Sequence, residues 1–107
     1  LSFNHLEEVL GSFTIRDGSF TDMAGFSRLQ KIEGKLSLEQ SLLTTLSGLE
    51  SLQVVRGGLS ILDNSKLKSF CGIRTVLDHN GVSGPMVIEG NAYNPTPAQI
   101  IGGNCDQ

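Results

Sequence analysis

Apolar positions in this chain recur with a fixed step. Gly11, Gly34 and Gly57 lie 23 residues apart, as do Phe13, Leu36 and Leu59, then Ile15, Leu38 and Ile61, and Ile32 with Val55. Gly25 with Gly48, Phe26 with Leu49, Leu29 with Leu52 and Met23 with Leu46 keep the same step. The next repeat slips by one, placing Phe70, Gly72, Ile73 and Val76 24 residues after their counterparts, and a longer excursion delays Met86 and Ile88 to 27 after Leu59 and Ile61. Such insertions belong in loops. Run backwards, the pattern sets Phe3, Leu6 and Val9 under Phe26, Leu29 and Ile32, so the chain is expected to open inside a repeat.

Within a repeat, Leu36 and Leu38, or Leu59 and Ile61, alternate with Ser37 and Ser60, the period of a strand with one buried face. The preceding glycine is expected to permit a sharp corner. Steps of three through Leu46, Leu49 and Leu52 predict a tight turn or short helical coil feeding a second strand near residues 52 to 55. A unit of this length cannot bury its own apolar face, whereas stacked copies bury one another's, so the pattern predicts a solenoid with leucine ladders inside. Parallel stacking sets outward residues one period apart about 4.7 to 4.9 Å from each other, where like charges repel. Arg16 then falls on Glu39, Glu33 on Arg56 and Glu8 on Lys31, three pairs of opposite sign.

The last third reads as a cover for the open end. It offers a strand at Met86 to Ile88, a turn-rich run, and a short helix with Thr96 as N-cap, Pro97 at its first position, Ile100 and Ile101 packed inward, and Gly102 and Gly103 as a stop. Asn80-Gly81 marks the end of another short helix over residues 73 to 78. Cys71 and Cys105 bracket this cap. A disulfide between them would close about 35 residues and stabilise the fold by roughly 3 to 4 kcal/mol in the chain-entropy model. Only an oxidising compartment would maintain it, and in a reducing one Cys71 would be a small buried hydrophobe.

The run "KIEGKLSL … LTTLSGLESLQVVRGGLSILDNSKLKSF" resembles the receptor L domain, the leucine-rich-repeat-like module of growth-factor receptor ectodomains that also occurs in secreted and surface proteins of microbes. The ending "SFCGIR … GNAYNPTPAQI … C" is similar to the cap that closes such repeats in the microbial proteins. The resemblance implies a mainly β fold, a right-handed β-helix of about four 23-residue coils with a short helical C-terminal cap. It implies one domain over residues 1–107, with repeats over 1–76 and the last strand and cap over 77–107. It also implies a role in extracellular recognition, and it transfers no individual ligand-binding residue.

Charge and chemistry narrow the picture further. A net charge of -3 without a basic run leaves nothing to neutralise a phosphate backbone, so nucleic acid is not an expected partner. No apolar run is long enough to span a bilayer. The two histidines, His5 and His79, lie far apart and away from any cysteine or carboxylate at ligand spacing, so neither a metal nor a cofactor is expected. The column Asp17, Gln40, Asp63, Gly90 makes no acidic ladder, and turn chemistry accounts for Asp63 and Asn64. Outward columns hold no paired acids, which argues against an enzyme. Tyr93 is expected to pack in the cap. The most regular polar feature, Thr14, Ser37 and Ser60 with Arg16 and Glu39 alongside, is the candidate binding face of a secreted or cell-surface module for a protein or glycan ligand. Phe3, Leu6 and Val9 form a candidate assembly edge for neighbouring repeats or a second copy.

Overall fold

The computed structural model describes residues 6–17 and 19–107. Phe3 and His5 lie outside the described residues. Among the described residues seven strands form, β1 (Glu8–Val9), β2 (Phe13–Arg16), β3 (Lys31–Ile32), β4 (Leu36–Glu39), β5 (Val54–Val55), β6 (Leu59–Leu62) and β7 (Met86–Glu89). They make two parallel sheets, ordered β1-β3-β5 and β2-β4-β6-β7. Two 3-10 turns (Ala24–Phe26 and Cys71–Ile73) and two short helices, α1 (Arg74–Asp78) and α2 (Pro97–Ile101), complete the described elements.

Strand alternation follows the sequence closely in β4, where Leu36 and Leu38 are fully buried while Ser37 and Glu39 are half-buried. Register is set by the repeat. Phe13 pairs with Leu36 and Leu36 with Leu59, and the 27-residue step then brings Met86 beside Leu59. Both sheets contribute to one core, with Ile32 and Val55 from the smaller, Leu36, Leu38, Leu59 and Ile61 from the larger, and Leu46, Leu49 and Leu52 from the turns between them. Burying one such side chain fully is worth about 1.5–3 kcal/mol.

The expected fold class is corrected by these facts. The chain is a small α/β protein with two open parallel sheets of three and four strands and few helices, not a coiled β-helix or solenoid. Strands of the smaller sheet are two residues long, and β7 joins only the larger sheet, its counterpart beside β5 being a single bridge from Val55 to Val82. Turns and short helices occupy most of each repeat, and the extents of 30 × 29 × 19 Å describe a compact globule. The apolar columns specify which residues pair. They do not specify that each repeat closes into a full coil of strands.

The glycine column also acts differently from expectation. Its backbone stays outside the left-handed region at Gly34 and Gly57, and the requirement is close approach instead: a Cβ on Gly57 would lie 2.5 Å from the carbonyl carbon of Gly34. Gly57 N donates to Gly34 O at 2.8 Å, and Gly34 N donates to Gly11 O at 3.0 Å, so Gly34 and Gly57 stand in backbone-to-backbone contact with no room for side chains, while a side chain on Gly11 would meet open space.

Candidate functional site

The outer face of the larger sheet carries two rows in register. One is Thr14, Ser37, Ser60 and Val87, and the other is Arg16, Glu39, Leu62 and Glu89. Every member except Ser60 keeps some exposure, with Thr14, Arg16, Val87 and Glu89 the most open. Ser60 is 5% exposed, because it lies between Ser37 and Val87 in the middle of the sheet. Of the five candidate face residues, the structure therefore sets Thr14, Ser37 and Ser60 in one row and Arg16 beside Glu39 in the other, with Ser60 offering little surface. The predicted pairs Arg16–Glu39 and Glu8–Lys31 are in register. Glu33 makes close ion pairs, accepting from Arg56 Nε at 2.6 Å and lying 3.7 Å from Lys31 Nζ.

Each four-residue strand is followed by a residue in the left-handed region, Asp17 (φ 55), Gln40 (φ 51), Asp63 (φ 58) and Gly90 (φ 72). Turn geometry thus accounts for Asp63, but not for Asn64, which is fully buried. Asn64 Nδ2 donates to Leu38 O and Asn91 Oδ1, both at 3.0 Å, while its Oδ1 accepts from Ser41 N at 3.0 Å and Ser41 Oγ at 2.6 Å. Asn91 repeats the pattern, donating to Ile61 O and Asn94 Oδ1. This ladder of Ser41, Asn64, Asn91 and Asn94 ties successive repeats together with its buried polar groups satisfied. Its signal in the sequence is positional: Ser41, Asn64 and Asn91 each fall two residues after a strand ends.

The C-terminal cap forms as read, with one difference. The Cys71–Cys105 disulfide is present, with Cα atoms 4.9 Å apart. Thr96 and Gln99 make a reciprocal capping box at the start of α2. Ile100 is buried as expected, but Ile101 is 38% exposed, since a helix this short offers one inward position per turn. Tyr93 packs edge-on against Phe70, its hydroxyl donating to Asn104 O at 2.7 Å, so it is a cap residue.

Beside the cap runs a groove of about 280 Å³, lined by Met86, Val87, Ile88 and Glu89 of β7 and by Asn94, Pro95, Thr96 and Pro97. No periodicity in the chain foretells it, because it arises where the cap turns away from the last strand.

At the opposite end, Leu6 and Val9 are half-buried against the core with Phe13 and Phe20, and Leu10 is 79% exposed. Phe13 packs tilted and Phe20 edge-on against Phe26, with centroids 5.1 and 6.0 Å away. His79 is exposed at the end of α1. Among the described residues, no three His, Cys, Asp or Glu side chains converge as a metal site would need, and no helix is long and apolar enough to cross a membrane. The chain matches no family model, no curated protein and no solved structure.

Proposed function

We propose that this domain is a non-enzymatic recognition or adhesion module that works outside the cell and binds a protein or glycan through the outer face of its larger sheet. The observation that supports this best is the face itself, four parallel strands in register with Thr14, Arg16, Ser37 and Glu39 presented side by side at its β2–β4 end. Short Thr14 and Ser37 flanked by charged Arg16 and Glu39 make an open polar surface, which suits a broad contact more than an enclosed reaction. The disulfide is compatible with an oxidising compartment. Glycan and extracellular-protein arrays probed with the native chain and with a Thr14→Arg, Glu39→Arg double variant test it. Both positions retain exposure, so the variant should still fold, with a small drop in melting temperature from the like charge set beside Arg16, and lose the captured ligand. A ligand held equally by both proteins would contradict this site.

A second reading, a spacer or assembly segment, is favoured by the half-buried Leu6, Val9, Phe13 and Phe20 beside exposed Leu10. It expects concentration-dependent mass in light scattering, and a strict monomer at high concentration would remove it.

A further inference from the structure

We infer that the free edge of β7 and the groove beside it form a docking site for an extended peptide of the pattern apolar-x-apolar-basic, which would join the larger sheet as a fifth parallel strand. This site is the sheet's edge, and the inference does not depend on the outer face being used.

Leu59 N donates to Pro85 O at 2.9 Å and Asp63 N donates to Glu89 O at 3.0 Å. In a parallel ladder alternate residues direct their backbone groups to alternate sides, so residues 85, 87 and 89 face β6 while Met86 and Ile88 direct N–H and C=O to the open edge. The cap segment across the groove contributes Pro95 and Pro97, which have no N–H and so cannot close this edge with a ladder of their own. Met86 and Ile88 remain half-buried there, unlike their fully buried counterparts Leu36 and Leu38. The volume of about 280 Å³ falls just below the range of small-molecule pockets, roughly 300–1,000 Å³, and suits one or two side chains of a strand.

The molecule contains its own example of the occupant. β7 reads Met-Val-Ile-Glu, the chemical pattern of β4, Leu-Ser-Leu-Glu. Both flank β6, and the strand on the far side of β4 is β2, Phe-Thr-Ile-Arg, with Arg16 in register beside Glu39. A strand of the same pattern on β7 would set apolar residues beside Met86 and Ile88 and a basic one beside Glu89, whose carboxylate is exposed and has no cation within 4.0 Å among the described residues. Backbone pairing along an edge with alternate side chains in pockets is a known mode of peptide recognition.

The test is fluorescence anisotropy of the labelled hexapeptide Ser-Phe-Thr-Ile-Arg-Asp, the sequence of residues 12–17, titrated with the whole chain, with light scattering of the chain alone. Saturable binding is expected. Glu89→Arg should weaken it about five- to tenfold, the scale of a partly screened charge reversal, and the peptide with glutamate in place of arginine should regain affinity for that variant. Absence of saturation, or equal binding by native chain and Glu89→Arg, would overturn the proposal. So would self-association of the chain that the hexapeptide competes away, since the occupant would then be β2 of a second copy.

Discussion

At the N-terminal end, β1 and β2 each have one neighbour, and the core is covered by half-buried Leu6, Val9, Phe13 and Phe20. At the C-terminal end a disulfide, a capping box, the Tyr93–Asn104 hydrogen bond and the Asn91–Asn94 pair fasten a dedicated segment over the last repeat. Both short helices there close with the same hydrogen-bond pattern: Asn80 N to Leu77 O with Gly81 N to Val76 O, and Gly103 N to Ile100 O with Asn104 N to Gln99 O. The difference shows that a repeated sequence can pack its interior by one rule while its ends are settled locally. Among the described residues, half-buried apolar side chains cover one end, whereas covalent and polar links order the other, and the two should respond differently to perturbation.

A large effect is expected between the ends, at Asn64. Asn64→Ala leaves Ser41 N and Oγ without their acceptor and takes one donor from Leu38 O and from Asn91 Oδ1, the latter keeping the backbone N–H of residue 64, and buried groups left unsatisfied at about 1–3 kcal/mol each imply a loss of roughly 2–4 kcal/mol. Urea denaturation should show a much lower midpoint. Native-like stability would mean that the ladder is incidental. Next comes the cap, where a Cys71→Ser, Cys105→Ser double variant should lose roughly 3 to 4 kcal/mol in the chain-entropy model. Its amides from residue 91 onward should lose exchange protection while those of β3 to β6 keep theirs.

A matched pair compares the two ends directly. Phe26 closes the first 3-10 turn and Phe70 precedes the second; Phe70 is fully enclosed and touches Tyr93, whereas Phe26 is 3% exposed beside the half-buried Phe13 and Phe20. Each Phe→Ala should cost about 3–5 kcal/mol, with Phe70 at the upper end because its surroundings have less freedom to collapse. Equal losses in thermal melts would erase the proposed contrast. The smallest effect is expected for Thr96→Ala, which removes the N-cap of α2 and should cost about 1 kcal/mol.

Much of this was legible in the sequence for a physical reason. Parallel strands in register one period apart require like residues to neighbour one another, so the columns through Leu36 and Leu38 identified partners directly, and Thr96-Pro97 identified a helix start. The sequence did not disclose how much of each repeat would be strand. Two-residue pairings such as Lys31–Ile32 with Val54–Val55 leave too little periodicity to separate a strand from a turn. The asparagine ladder was obscured because Ser41 replaces asparagine at one step and the next step lengthens from 23 to 27 residues. Ser60 looked like its neighbours on the candidate face, yet its burial depends on Ser37 and Val87 flanking it, which composition alone does not convey. The groove depends on where the cap leaves β7, a matter of loop path that no periodicity encodes.

Native-state hydrogen exchange, resolved by residue, tests the contrast between the ends most directly. The account predicts that the amides of Phe70, Tyr93 and Ile100, which donate to Cys105, Leu67 and Thr96 carbonyls, exchange only through near-global opening, while Phe13 and Gln30, bonded across the β1 and β2 edges, exchange through smaller local openings. Uniform protection along the chain, or a cap that opens before the N-terminal edge while its disulfide is intact, would contradict it.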